Sequence, residues 1–175
     1  MTKRTLTTPA CALLLAIGLA ACGGSSKAPG VELAPSGGQT SATPATTNVP
    51  PALSRKPTVS VPKGPPPSRL VVKDLIKGNG PAASSNGTVT VNYVGVLYPT
   101  GKQFDSSWTR NQPFTTPLSS GSVIPGWVQG IQGMKVGGRR ELIIPPALGY
   151  GKSGSPPTIP PNSTLVFVVD LLSVS

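Results

Sequence analysis

Histidine is absent from the 175 residues, and there are only two cysteines, Cys11 and Cys22. The missing imidazole removes the commonest general base and metal ligand, and with so few thiols a zinc site or a Ser-His-Asp triad is excluded. No metal and no cofactor is expected, and any catalysis must run without proton shuttling by histidine. Acidic residues are scarce too: five Asp and Glu face 15 Lys and Arg, for a formal net charge of +10. Such a balance draws a chain toward nucleic acid or toward an anionic surface. Here the cations are scattered, with no run longer than the pairs Arg55-Lys56 and Arg139-Arg140. Nucleic-acid proteins concentrate them on a face or stripe, so no nucleic-acid partner is expected. Long apolar runs are also wanting. The most extended, Ala10 to Ala21, falls well short of the roughly 20 residues a spanning helix needs.

That short run is informative in its setting. Lys3 and Arg4 precede it, and it closes on Leu19-Ala20-Ala21-Cys22, followed by Gly23-Gly24. A positive start, a short apolar centre and a small-residue end make an export signal. The ending resembles the bacterial lipobox. The resemblance implies a signal peptide over residues 1–21, cleavage before Cys22 and a diacylglycerol on the Cys22 thiol. The expected product is an exported lipoprotein held to a bacterial membrane and facing away from the cytoplasm; two or more acyl chains anchor stably where one is marginal. Cys11 would leave with the signal, so no thiol would remain for a disulfide and the folded part must rely on its core.

Glycine and proline, 21 and 22 residues, are abundant but uneven. Ten of the prolines fall between Gly23 and Ser68, among Ala, Ser and Thr, with no aromatic residue. Residues 22–68 are therefore expected to be a disordered linker biased toward polyproline II by Pro50-Pro51 and Pro65-Pro66-Pro67. From Arg69 the texture changes. Leu70 to Ile76 and Thr88 to Val96 read as strands, as do Arg139 to Ile144 and Thr164 to Ser173, with weaker candidates at Lys102 to Trp108 and Phe114 to Leu118. Ile124, Trp127, Val128, Ile131 and Met134 instead recur at helical spacing, with Pro125 suited to a first turn. One short helix among antiparallel strands predicts an α+β domain over residues 69–175.

Five stretches of this domain, in order, carry a family resemblance. They are Val91-Asn92-Tyr93-Val94-Gly95; Gly101-Lys102-Gln103-Phe104-Asp105-Ser106-Ser107; Val123-Ile124-Pro125-Gly126-Trp127; Pro145 through Tyr150-Gly151; and Ile159-Pro160-Pro161 through Leu165-Val166-Phe167. Together they resemble the FKBP-type peptidyl-prolyl cis-trans isomerases. The resemblance implies a twisted antiparallel half-barrel sheet wrapped around the helix, with an apolar pocket between. It implies catalytic roles for Tyr93, Phe104, Asp105, Trp127, Tyr150 and Phe167. Arg110, Phe114, Val123, Ile124 and Ile159 would bind substrate, with Arg110 pairing with Asp105. Proline-containing polypeptides would be the partners, macrolides such as tacrolimus or rapamycin the small-molecule ligands, and the protein a monomer.

Chemistry and composition agree on this point. Rotation about an X–Pro bond meets a barrier of about 18–20 kcal/mol because amide resonance must be broken. The twisted amide is less polar than the planar one, so an apolar pocket that favours it needs no acid, base or metal. Taken singly, the aromatic residues fit an ordinary core, and Asp105 with Arg110 fits a structural ion pair. Ser155 and Thr158 stand where the family often has His and Ile. A chaperone or peptide-binding module with little catalysis is the alternative reading.

Overall fold

The computed structural model describes residues 50–175. The signal segment, Cys22 and the linker as far as residue 49 lie outside the described residues. Six strands form one antiparallel sheet: β1 (Val71–Ile76), β2 (Thr88–Leu97), β3 (Gln103–Ser106), β4 (Phe114–Pro117), β5 (Arg139–Ile144) and β6 (Leu165–Val174). Their order is β1-β5-β6-β2-β3, with β4 also pairing β2. The two ten-residue strands, β2 and β6, run side by side at the centre. Each is dense in valine and leucine because each is covered on both faces.

The pleat sorts their side chains. On one face Val89, Val91 and Tyr93 of β2 join Leu142 and Ile144 of β5 and Leu165, Phe167, Val169 and Leu171 of β6 in the main core. Helix α1 (Pro125–Ile131) lies on this face, burying Trp127 and Ile131. Pro125 opens it, where a missing N–H is harmless. The spacing predicts apolar contacts as far as Met134, which is indeed buried. The helix itself ends sooner, because Gln132 takes an extended conformation (φ −51°, ψ 133°). Gly130 is needed for close approach: a Cβ there would stand 2.6 Å from a Leu142 methyl. The Arg140 guanidinium donates to the Gly130 carbonyl at 2.8 Å and to Asp74 at 2.6 Å, so one cation caps the helix and ties it to β1.

The opposite face is the main departure from expectation. Val94, Val96, Tyr98, Ile143 and Val166 form a second apolar cluster, and Val59, Val61 and Trp108 pack onto it. Composition puts the domain boundary at Arg69; packing assigns residues 50–68 to the domain as a strap. Leu53, in a 3-10 turn over Pro51–Ser54, is 1% exposed. The Tyr98 hydroxyl donates to the Gly64 carbonyl at 2.8 Å, Lys56 to Gln103 at 2.8 Å and Arg139 to the Arg55 carbonyl at 2.9 Å. The strap has few apolar residues, but its prolines restrict the unfolded chain, which lowers the entropy lost on docking.

Candidate active site

The chain forms the site through a short sequence-local device. After β3, a 3-10 turn over Trp108–Arg110 reverses direction and closes on Asn111, whose left-handed backbone (φ 50°) asparagine tolerates well. The turn is pinned to β2. Ser107, fully buried, accepts the Tyr93 N–H at 2.9 Å and donates to Asn92 Oδ1 at 2.9 Å. Arg110 thereby folds back over Asp105 and Tyr93. These pinning roles of Asn92 and Ser107 are not visible as functional signals in the sequence, since both residue types are ordinary in strands and turns.

Between this turn, α1 and the Tyr150 loop opens a cleft of about 490 Å³. Its aromatic rings meet edge to face. Trp127 lies 5.2 Å from Tyr93 and 5.4 Å from Phe167, with interplanar angles of 84° and 83°. Phe104 stands at 88° to Phe167 at 5.4 Å, and Phe114 at 73° to Trp127 at 6.2 Å. This arrangement sets ring edges against ring faces, the favoured electrostatic geometry. Gly95, directly across from Phe167 in the β2–β6 pairing, makes room for two of these rings. A Cβ there would be 2.7 Å from Phe104 and 2.8 Å from Phe167.

The polar groups gather at one wall. The Tyr93 hydroxyl donates to Asp105 Oδ2 and Arg110 Nη1 donates to Oδ1. Arg110 Nη2 donates to the Tyr93 oxygen at 2.8 Å, and the Ser106 N–H to Oδ1 at 2.7 Å. The Arg110 guanidinium also sits 5.7 Å from the centre of the Tyr93 ring, within cation–π range. Val123, Ile124 and Ser122 lie where the chain enters α1, and Tyr150, 40% exposed, stands at the mouth. Ser122 borders the cleft as well.

Ten of the eleven domain residues expected at the site share this cleft. Ile159 is not among the residues that border it. It is 4% exposed and belongs to the main core. Its N–H and carbonyl are both bonded to Ser155, at 2.9 and 2.8 Å, which closes the loop on itself. Cys22 lies outside the described residues.

The sequence profile of the FKBP-type peptidyl-prolyl cis-trans isomerases matches residues 80–172. The chain belongs to this family. It is 53% identical over 120 residues to an FK506-binding protein of Streptomyces anulatus, covering 68% of this chain and 97% of that one. A probable FK506-binding protein of Corynebacterium glutamicum is 50% identical over 118 residues, covering 67% and 98%. Among solved structures, FkpA from Escherichia coli superposes with a TM-score of 0.56 at 50% identity, over 61% of this chain and 48% of that one. The protein is thus a peptidyl-prolyl cis-trans isomerase with an FKBP fold.

Electrostatics in the isomerase cleft follow from its partners. Burial alone would raise the Asp105 carboxyl, but the bonds from Tyr93, Arg110 and the Ser106 N–H outweigh it and hold its pKa below the ordinary carboxylate value. Tyr93 is pushed up to about 12, first by burial and then by its bond to Asp105. Tyr150 is also raised, by burial and by the Asp105 charge. At neutral pH the wall is therefore a fixed carboxylate–guanidinium–phenol cluster that neither gives nor takes a proton. The Trp127 indole N–H is buried with no hydrogen-bond partner among the described residues.

Proposed function

We propose that the cleft over Trp127 is where this isomerase accelerates X–Pro rotation, and that its clients are proteins folding outside the cytoplasm. The observation that carries the catalytic part is the edge-packed aromatic floor beside a single fixed ion cluster. A proline ring fits over Trp127, with Tyr93, Phe104, Phe114 and Phe167 as apolar walls. Water is excluded from the twisting amide, whose reduced polarity suits the pocket better than the planar form does. The Tyr150 hydroxyl and the Ile124 N–H hold substrate carbonyls on either side. The Asp105 carboxylate, oriented by Tyr93 and Arg110, faces the carbonyl that rotates. Val123 completes the wall beside Ile124.

A proline-limited protein refolding assay tests this. Added protein should shorten the slow phase, which otherwise lasts tens to hundreds of seconds; no shortening at micromolar protein would defeat the reading. Tacrolimus and rapamycin, macrolides large enough to fill the cleft, should inhibit competitively.

The export half of the reading rests on Lys3, Arg4, the Ala10–Ala21 stretch and Leu19-Ala20-Ala21-Cys22. The mature chain would begin at acylated Cys22 and act as a monomer held to a bacterial membrane, facing away from the cytoplasm. Substituting Cys22→Ala should release the exported protein from the membrane fraction, and continued membrane partitioning would rule out lipid attachment there.

A further inference from the structure

The ion cluster of the cleft includes a residue with little to hold it in place. The Arg110 side chain is 48% exposed and that of Asp105 40%. A pair this open to water contributes little on its own, and an arginine has many rotamers to lose on joining it. Much of the fixing must therefore come from the backbone that carries Arg110, the 3-10 turn over Trp108–Arg110. Ser107 pins the start of that turn to β2. The rest of the turn rounds the edge of the sheet, since β3 ends the strand order. Arg110 lines the cleft on the α1 side. Trp108, two residues earlier, lies on the other side and packs, with the strap residues Val59 and Val61, onto the second apolar cluster. Thr109, between them, ends a polar chain from the same strap. Lys56 Nζ donates to Gln103 Oε1 at 2.8 Å, and Gln103 Nε2 donates to Thr109 Oγ1 at 3.3 Å.

We propose that Trp108 and Thr109 are positioning residues for catalysis, and that the strap acts through them to hold the Arg110 guanidinium against Asp105 and Tyr93. The proposal rests on the reading that the Asp105 carboxylate, oriented by Arg110, faces the carbonyl that rotates. Neither residue borders the cleft, so neither acts on substrate directly. Trp108 anchors by packing alone: its indole N–H is buried with no hydrogen-bond partner among the described residues. Thr109 anchors through its hydroxyl. The Arg110 N–H is bonded to the Ser107 carbonyl at 3.1 Å and the Asn111 N–H to the Trp108 carbonyl at 3.3 Å. These bonds tie the turn into one unit, and a shift of Trp108 carries Arg110 with it. The strap has a double role: it covers the back of the sheet and steadies a charge at the front.

A double-mutant cycle in the full chain tests this, with kcat and KM measured separately on a short proline peptide. Trp108→Ala should lower kcat roughly fivefold, the size of a moderate coupling between neighbouring residues. KM should stay near the wild-type value, because the aromatic rings of the cleft are untouched. Trp108→Phe breaks no hydrogen bond and should restore most of the loss. Thr109→Val should lower kcat roughly twofold, as a weak exposed hydrogen bond allows, and Thr109→Ser, which keeps the hydroxyl, should match wild type. In an Arg110→Ala background none of these changes should lower kcat further. Leu53→Ala removes a buried strap residue that belongs to neither apolar cluster, and should lower stability while keeping the wild-type kcat.

A full further loss from Trp108→Ala in the Arg110→Ala background would overturn the proposal, since the tryptophan would then support the site as a whole. An unchanged kcat in Trp108→Ala, a loss confined to KM, or an equal fall with Leu53→Ala would do the same. Where Trp108→Ala does not fold, Trp108→Leu keeps the position apolar and is judged by the same outcomes. An Arg110→Ala variant as active as the wild type would sink the ion-cluster reading itself, and the positioning with it.

Discussion

Tyr93 and Asp105 sit on neighbouring strands and are joined phenol to carboxylate, with Arg110 bonded to both. The three groups hold one another, so removing one loosens two. Tyr93→Phe takes away the hydrogen bond to Asp105 and the acceptor for Arg110 while keeping the ring packed against Trp127. The expected result is a roughly fivefold loss of kcat/KM, the effect of about 1 kcal/mol, with a thermal midpoint near that of the wild type. An unchanged kcat/KM would mean the orientation of the carboxylate is irrelevant to catalysis.

The same cluster fixes the pH profile. The Asp105 pKa is depressed in the folded protein and the Tyr93 pKa lies at about 12, and the sequence has no histidine. Activity should therefore be level from about pH 5 to pH 8, the window in which histidine normally titrates. The sign at the acid end follows from the depressed value. The stabilisation that Asp105 contributes is complete above its unfolded pKa and disappears as pH falls through the lower folded one. A stopped-flow pH series with a bell centred near neutrality would contradict this account.

Much of this arrangement is legible before folding, and the reasons can be assigned residue by residue. Alternation in Thr88 to Val96 marks β2 and puts Tyr93 on the core side. The Phe104-Asp105 pair arrives in a motif that resembles the family's. Two things do not show. The bonds by which Asn92 and Ser107 pin the turn to β2 are silent, because both residue types are ordinary in strands and turns. Residues 50–68 read as linker, because a segment that docks by three apolar side chains and a few backbone carbonyls has the composition of one that does not dock.

Gly95 offers a sharper test of the aromatic packing. A methyl group there would meet Phe104 and Phe167 at less than 3 Å, and neither ring can retreat without entering the cleft or the core. Gly95→Ala should cost about 1–3 kcal/mol from overpacking and weaken substrate binding by displacing the walls. Urea denaturation measures the first effect and KM for a proline peptide the second. A variant with wild-type stability and KM would mean that the two rings yield freely.

The strap makes a prediction about where the domain begins. Leu53 is 1% exposed, and Leu53→Ala should destabilise by about 2–5 kcal/mol. At a temperature where the variant remains folded, turnover of short peptides should be unaltered, because Leu53 contributes nothing to the cleft. A fragment starting at Arg69 would uncover Val94, Val96, Ile143 and Val166 and should be less stable still and prone to association. If that fragment unfolds at the same urea concentration as residues 50–175, the strap adds nothing to stability.

Trp127 combines both kinds of demand, structural and catalytic, and the two can be separated. It is 4% exposed and touches Tyr93, Phe114 and Phe167. Trp127→Ala should therefore cost about 3–5 kcal/mol, so lost activity in that variant says little about mechanism. Trp127→Phe is more telling. The indole N–H has no partner among the described residues, so replacing it breaks no hydrogen bond, and the phenyl ring keeps part of the edge-to-face contact. Stability should fall much less than in the alanine variant. Activity should fall several-fold because the narrower ring leaves the proline without a full floor and admits water beside the twisting amide. Calorimetry paired with kcat/KM on a short peptide distinguishes the two effects. If Trp127→Phe is as active as the wild type, the indole is only a core residue, and the selectivity for the rotated bond must come from the walls.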